Sequence, residues 1–420
     1  MTTTGTGSWR RLRLGTRGSR LALTQSGQVA EALMAAGGGG AAAAAGKASE
    51  GSGGLGIDLV TVRTDGDGDR TPLRQLGGVG VFAARLRHAL LDGEVDLVVH
   101  SFKDLPTQPV EGLEVICVPA REDPRDALCA RDGLTLAYLP EGARVGTGSP
   151  RRAAQLLAAR PDLEVVDLRG NVPTRLARVR GLKVVGVGTD EPVAPSRADA
   201  AGDLDAVVLA LSGLRRLGLE HCASEVLDLE TMLPAPAQGA LAVEARADED
   251  SAELARAVAA LDDEPTRLAV TAERALMARL GAGCAAPVGA WAHLRCGGQE
   301  PREEHAEHGT GWNEGFRGDD TAVTGTSQGA GAAEPRGSAV SRRSPRVLVL
   351  RAVVTSLDGG QEVGCELSTE LPEPSGGPRT PRDMAAVRAA EALGVRAAEV
   401  MLDDGADQIV DLHANKPRRD

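Results

Sequence analysis

One figure recurs along the first half of this chain. A short run rich in Val, Leu and Ile stops abruptly, a few polar residues intervene, and a helical pattern begins. The runs are RLRLGT (11–16), IDLVTVR (57–63), VDLVVHS (95–101), LEVICVP (113–119), ARVGTG (143–148), LEVVDLRG (163–170) and LDAVVLAL (204–211). Helical patterns fall at 19–34, 82–92, 150–159 and 172–180. Such alternation predicts α/β layers with mixed, mainly parallel sheets, and the density of runs over 10–245 calls for two such domains. From 251 the rhythm changes. Helical patterns at 251–261 and 266–280, strand-like segments at 288–294, 346–357 and 362–369, and a helix near 382–403 predict a smaller α+β domain.

A chain of 420 residues has room for two or three domains. Aromatic residues make up only 2% of it, so the cores must be built from Leu, Val, Ala and Ile. The formal net charge of −12 argues against a general nucleic-acid or anionic-membrane surface, so any anion site must be a local concentration of positive charge. No stretch approaches the roughly 18 apolar residues of a membrane helix. The N-terminal MTTTGTGSWRRLRLGTRGS has no apolar signal-peptide core, although its Ser, Thr and Arg leave room for a trimmed organelle-targeting peptide. Cysteines 117, 129, 222, 284, 296 and 365 show no CxxC and no framework spacing, and read as reduced thiols of a cytosolic protein. Residues 35–56, 297–345 and 371–383 read as loops, insertions or connectors.

Three motif matches are set aside. GSGGLG (51–56) precedes a strand, whereas a dinucleotide fingerprint follows one and opens a helix. DGDGD (65–69) has Arg70 and Leu76 where a calcium loop needs Gly and Glu. His221 beside Cys222 lacks a second ligand pair at zinc spacing. No metal site is expected.

The chemistry concentrates at the strand-to-helix junctions. In VDLVVHSFKDLPT (95–107) Lys103 and Asp104 follow an apolar strand, where open α/β sheets place ligands; a solvated ion pair explains these two residues equally well. In ARVGTGSPRRAAQLLAAR (143–160) Ser149 suits an N-cap and Pro150 the first helical position. Arg151 and Arg152 then fall in the first turn, where the helix dipole disfavours cations, which points to an anion site. Arg169 and Arg175, Arg17 with Ser19, and Arg215 with Arg216 repeat the arrangement. Guanidinium forks at four or five junctions of an acidic protein suit a ligand with several carboxylates or phosphates. No P-loop is present, so carboxylates are at least as good a fit. Cys284, in GAGCAAPVG (281–289), sits at a helix-to-strand turn among small residues.

The ordered motifs LGTRGSRLAL, VVHSFKDLPT, REDPRDAL, VGTGSPRR, LRGNVPTRL, SGLRRLGL, LPAPAQGALAVE and TAERALMARLGAGCAAPVG resemble the porphobilinogen deaminase (hydroxymethylbilane synthase) family over about 10–296, and more weakly over 346–404. The resemblance implies two periplasmic-binding-protein-like domains, 10–119 with 238–259 and 120–237, and a third, 260–420, in which 297–345 is a disordered insertion. It implies a transferase of tetrapyrrole biosynthesis that adds four porphobilinogen units head to tail, with loss of ammonia, to a covalent dipyrromethane cofactor, and then releases hydroxymethylbilane. Asp104 would be the catalytic carboxylate and Cys284 the thioether anchor. Lys103, Asp104, Ser149, Arg151 and Arg152 would hold the cofactor. Arg17, Ser19, Gln25, Arg169, Arg175 and Arg216 would bind substrate.

The implied protein is a cytoplasmic monomer, plastid-borne if a transit peptide precedes it, without nucleic-acid or membrane partners, whose product passes to uroporphyrinogen-III synthase. Two departures stand out: Gln75 and Val79 occupy positions where some members carry lysines, leaving Arg70 and Arg74 for those contacts. The competing readings are a non-catalytic periplasmic-type carboxylate-binding module and a cysteine-nucleophile hydrolase. The absence of a signal-peptide core opposes the first, and the lack of a partner near Cys284 other than His293 opposes the second.

Overall fold

Three sheets organise this computed structural model, which describes residues 10–37, 54–62, 81–184, 202–249, 251–283, 286–296, 345–372 and 384–412. In chain order the strands are β1 (Arg10–Thr16), β2 (Leu55–Thr61), β3 (Leu97–Ser101), β4 (Leu113–Cys117), β5 (Asp126–Ala130), β6 (Arg144–Gly146), β7 (Glu164–Val166), β8 (Ala206–Ala210), β9 (Glu225–Val226), β10 (Leu241–Arg246), β11 (Val288–Cys296), β12 (Arg346–Thr355) and β13 (Glu362–Leu371). The helices are α1 (Arg20–Ala36), α2 (Val81–Leu91), α3 (Pro150–Ala159), α4 (Val172–Leu176), α5 (Leu211–Arg216), α6 (Ala252–Leu261), α7 (Glu264–Leu280), α8 (Met384–Asp403) and α9 (Ala406–Ile409).

The first sheet has the order β2-β1-β3-β10-β4 and the second β7-β6-β8-β5-β9. In each, three neighbouring strands run parallel, the fourth in order runs against them, and the fifth is antiparallel to that one. Four strands of each five therefore point one way, the mixed and mainly parallel α/β arrangement expected. The reversed strands β5 and β10 are the ones whose composition hides them. DALCA and LAVEAR are short and rich in Ala, Asp, Glu and Arg, with little of the β-branched content that marks the others. Burial identifies them, since every residue of β5 is buried and only Arg246 of β10 is not.

The chain leaves the first sheet after β4, enters the second at β5, and returns from β9 to β10. Residues 118–125 and 227–240 are the two crossovers. They lie against each other: Arg121 Nε donates to the Gln238 carbonyl (2.7 Å) and the Glu122 N–H to the Gly239 carbonyl (3.4 Å). Gly239 has φ +90°, and a Cβ there would stand 2.3 Å from the Glu122 carbonyl oxygen, so neither its conformation nor its neighbour admits a side chain.

Local signals set the helix ends. Ser19 caps α1 by accepting from the Ala22 N–H, and Asp263 caps α7 by accepting from the Thr266 N–H. Gly281, in the left-handed region, closes α7. The helical pattern over 172–180 ends at Leu176, because residues 178–180 turn away to pair with Leu204: the Leu204 N–H donates to the Arg178 carbonyl and the Arg180 N–H to the Leu204 carbonyl.

The third sheet, β11-β12-β13, is antiparallel throughout and packs one face on α7 and α8. Its core mixes Leu276, Leu348, Leu350 and Leu393 with many alanines. Gly394 of α8 lies so close to the Ala272 carbonyl of α7 that a Cβ would meet it at 2.1 Å. A chain poor in aromatics fills this domain by bringing helix backbones together.

No helix among the described residues is long and apolar enough to cross a membrane. Residues 38–53 and 297–344, Gln75, Val79, Arg70, Arg74 and Cys284 lie outside the described residues.

Candidate active site

The topology dictates where the site lies. β1 and β3 are parallel neighbours, so Arg17 and the turn after Ser101 leave the same edge of the first sheet. β6, β7 and β8 do the same in the second, delivering Ser149, Arg169 and Leu211 to one edge. The reversed strands begin where the others end. Leu241 of β10 pairs with Ser101, and Asp126 of β5 pairs with Ala210. Both crossovers therefore run along the edge that carries the polar junctions.

On the first sheet, Phe102–Asp104 forms a single 3-10 turn beyond β3. Phe102 is buried, its N–H donates to the Ala240 carbonyl, and Asp104 is exposed. Arg274 of α7 grips this turn from the third domain. Its guanidinium lies 4.5 Å from the centre of the Phe102 ring and donates to the carbonyls of Phe102 (3.3 Å), Leu105 (2.7 Å) and Pro106 (2.8 Å). Lys103 Nζ donates to Gln238 Oε1 at 3.2 Å. Burial pushes the Lys103 ammonium down to about 8; Asp104 and Asp126 pull it upward, and Arg152 and Arg151 push it down.

On the second sheet, Arg151 and Arg152 occupy the first turn of α3, as their spacing predicts, but they are buried, with 3% and 6% exposure. Their counter-charge is Asp126, the first residue of β5 and fully buried. Arg151 Nη2 donates to Asp126 Oδ2 (2.7 Å), and Arg152 Nε and Nη2 donate to Asp126 Oδ1 (3.0 and 2.8 Å). Burial acts to raise the Asp126 pKa, yet the two guanidinium charges outweigh it and hold the carboxyl far below the usual range. Arg151 Nη1 also donates to the Leu233 carbonyl and Arg152 Nη1 to the Val208 carbonyl. Arg151 Nε is buried with no hydrogen-bond partner among the described residues, and the Ser149 hydroxyl makes no capping bond to α3.

Arg175 of α4 donates from Nε to the Gly170 carbonyl at 2.7 Å. Its pKa falls to about 10 through burial and the charges of Arg152 and Arg169, opposed by Asp167 and Asp104. Those couplings link Arg175 and Arg169 to Arg152 and, across the two sheets, to Asp104. Lys103, Asp104, Arg151, Arg152, Arg169 and Arg175 thus form one charged cluster.

The other expected residues are placed differently. Gln25 is buried and accepts from the Ser101 hydroxyl at 3.2 Å, behind the end of β3. Ser19 caps α1, with Arg17 just ahead of it. Arg216 donates to the Gly239 carbonyl at 2.6 Å and, with Gln28, Val29, Glu122 and Arg215, lines a cavity of about 280 Å³ beside the crossovers. Burial lowers its pKa against the pull of Glu122.

Three residues without an assigned role in the sequence prove central. Asp126 and Gln238 lie within two of the motifs quoted above, REDPRDAL and LPAPAQGALAVE, but nothing local marks them, because their partners are remote in sequence. Glu273 is fully buried on α7, where it accepts from both terminal nitrogens of Arg121 (2.7 and 3.0 Å) and from the N–H groups of Ala237 (2.5 Å) and Ala292 (2.8 Å). It ties both crossovers to the third domain.

Cysteines 117, 129, 222 and 365 are free and buried, and burial pushes the Cys117, Cys129 and Cys365 thiols up to about 12, so none is a ready nucleophile. Among the described residues no cluster of His, Cys, Asp and Glu could hold a metal ion.

Comparison with known proteins covers most of the chain. Residues 12–254 match the family model described as porphobilinogen deaminase, dipyromethane cofactor binding domain, and residues 267–300 match porphobilinogen deaminase, C-terminal domain. The porphobilinogen deaminase of Cutibacterium acnes is 47% identical over 413 residues, covering 97% of this chain and 99% of that protein. That of Micrococcus luteus is 56% identical over 296 residues, covering 67% and 73%. Among solved structures, a nutrient binding protein from Burkholderia cenocepacia bound to methionine is 14% identical and covers 59% of this chain and 90% of its own, with a TM-score of 0.32. That last likeness is too slight to add to the strand order.

Proposed function

The chain belongs to the porphobilinogen deaminase family, and we propose that it carries out that family's reaction at the cluster just described. It joins four porphobilinogen units head to tail on a dipyromethane group and releases hydroxymethylbilane by hydrolysis. The observation that carries this reading is the composition of the cluster. An exposed carboxylate, Asp104, stands among a lysine and four arginines in a chain of net charge −12. Each porphobilinogen bears an acetate and a propionate, so a growing chain is a polyanion that needs many fixed cations.

The residues present fit the dipyromethane group. Its carboxylates match the donor set of Lys103, Arg151 and Arg152, and the buried, unpartnered Arg151 Nε and uncommitted Ser149 hydroxyl leave donors for it. Joined to Cys284 as a thioether, it supplies the free pyrrole carbon on which the first unit is placed.

Asp104 then has one task, repeated for each unit. Each coupling expels one ammonia, forms one carbon–carbon bond and frees one pyrrole-carbon proton. The Asp104 carboxyl gives its proton to the departing amine nitrogen, the resulting carboxylate steadies the positive charge left on the substrate's pyrrole until the bond forms, and the proton freed from the pyrrole carbon returns to it for the next unit. Arg169 and Arg175 bind the substrate carboxylates, with Arg17, Ser19 and Gln25 at the adjacent edge and Arg216 at the crossovers. Three domains, 10–119 with 238–259, 120–237 and 260–420, divide this work between chemistry, binding and anchorage. The enzyme works as a cytoplasmic monomer that hands its product to uroporphyrinogen-III synthase.

The test is the intact mass of purified protein. An excess equal to two linked pyrrole units is expected, absent in Cys284→Ala. An unmodified mass in folded, substrate-fed protein would sink the anchor, and with it the reading of a non-catalytic carboxylate binder would gain ground.

A further inference from the structure

Gln238 is fully buried on the returning crossover, where its side chain reaches both walls of the cleft. Its Oε1 accepts from Lys103 Nζ (3.2 Å) and Arg152 Nη2 (3.4 Å), while its Nε2 donates to the Pro124 carbonyl (2.7 Å) and Asp126 Oδ1 (2.9 Å). The orientation of the amide is forced. Lys and Arg can only donate and a carbonyl or carboxylate can only accept, so the flipped amide would lose every one of these contacts, together with a longer one from Nε2 to the Arg125 carbonyl (3.5 Å). A carboxylate here would face Asp126, and a hydrocarbon would strand buried donors and acceptors on both sides. Glutamine is a neutral side chain long enough to satisfy both at once.

The backbone is equally fixed. Ala237 and Gly239, on either side, both have positive φ (61° and 90°). The Gln238 N–H donates to the Ala235 carbonyl, and its own carbonyl accepts from Arg121, which Glu273 holds from α7.

We propose that Gln238 is a positioning residue for the reaction: from the crossover it holds the Lys103 ammonium of the first wall against the Arg152–Asp126 pair of the second. The proposal rests on the reading of Lys103 as a carboxylate-binding group. The charged groups that face Lys103 are Asp104 on its own turn, Asp126 on β5, and Arg151 and Arg152 on α3. Among two cations and two carboxylates, the uncharged amide gives the Lys103 ammonium a hydrogen-bond acceptor at 3.2 Å. Burial pushes that ammonium down to about 8, within reach of an assay, and removing a hydrogen-bond acceptor from the charged form is expected to lower that value further.

The experiment is the pH profile of kcat/KM for the cofactor-loaded enzyme. Gln238→Met removes the acceptor at similar length, and Gln238→Asn keeps the amide on an arm too short to span the cleft. In both, the alkaline limb is expected to move about one pH unit to lower pH, the size of one hydrogen bond to a charged group. Lys103→Arg, which does not titrate in this range, is expected to abolish the displacement when combined with either change. Intact mass and thermal unfolding confirm that each variant is folded and loaded.

A role confined to packing lowers the rate at every pH and leaves the limb in place, and that result overturns the proposal if Lys103→Met is inactive. Near-normal turnover of Lys103→Met removes Lys103 from carboxylate binding, and the proposal falls with it, by a different route.

Discussion

In the first sheet, strand β3 ends in an exposed carboxylate, Asp104; in the second, β6 leads into two guanidinium groups that are almost wholly buried. The strand order is the same, with the same reversed strand in fourth place. What differs is how each wall treats charge. The first holds the turn that carries Asp104 by the backbone, through carbonyls gripped by Arg274, and leaves the carboxylate itself open. The second fixes its cations in advance with Asp126 and with the carbonyls of Leu233 and Val208. A group with the role proposed for Asp104, giving up and regaining protons through successive couplings, has to stay accessible. Cations that only hold carboxylates work best when they are already in place, because ordering them does not then draw on binding energy.

Replacing Asp104 separates the walls most sharply. Asp104→Asn keeps size and polarity but has no acidic proton to give, and turnover should fall about a thousandfold, within the range of general acid–base catalysis. The second wall is untouched, so the purified variant should still carry its extra pyrrole mass. Loss of that mass together with activity would show that Asp104 serves binding as much as chemistry, and the contrast would collapse.

Asp126→Asn attacks the second wall, and its first effect should be on stability. Two buried guanidinium groups lose their counter-charge, a change that costs about 3–5 kcal/mol where a buried pair is broken. Turnover of the surviving folded protein should fall less than in Asp104→Asn. The sign of the pH dependence follows from the depressed pKa of Asp126. Its stabilising contribution is complete above the unfolded value of about 4 and is lost as pH falls below it. Unfolding curves of wild type and Asp126→Asn should therefore draw together on acidification below about pH 4. A gap that stays constant down to pH 3 would mean that Asp126 is not the counter-ion.

Much of this contrast is legible in the sequence, and the illegible part has a common cause. Strand-to-helix junctions announce Lys103, Asp104, Arg151, Arg152, Arg169 and Arg175, because a run of Val and Leu followed by a cap and a helical period is a local pattern. Burial of Arg151 and Arg152 is not local. It depends on Asp126, 25 residues away at the start of a strand too rich in Ala to be recognised. Gln238 and Glu273 are hidden in the same way, since the cations they bind are remote in sequence and their neighbours in sequence explain nothing about them. The reversed strands are the shared reason. They carry the crossovers to the ligand edge, and pairing partners decide that, not periodicity.

The smallest of the effects concerns how the first wall is held. Arg274 reaches the turn that carries Asp104 from α7 by way of its carbonyls, and it lies on the helix whose C-terminal end leads to residues 281–283, just before Cys284 in sequence. Arg274 thus ties the turn that carries Asp104 to the helix that ends shortly before the proposed anchor position in sequence. Arg274→Lys keeps the charge but loses the planar fork that serves three carbonyls, and Arg274→Met loses both. Each should lower kcat about tenfold through a slight misplacement of Asp104, with KM nearly unchanged because no substrate cation is removed. If Arg274→Lys alone matches wild type, positive charge near the Phe102 ring is what counts. If both variants raise KM instead, α7 is holding the binding wall, and the division of labour between the two sheets is less clean than their charges indicate.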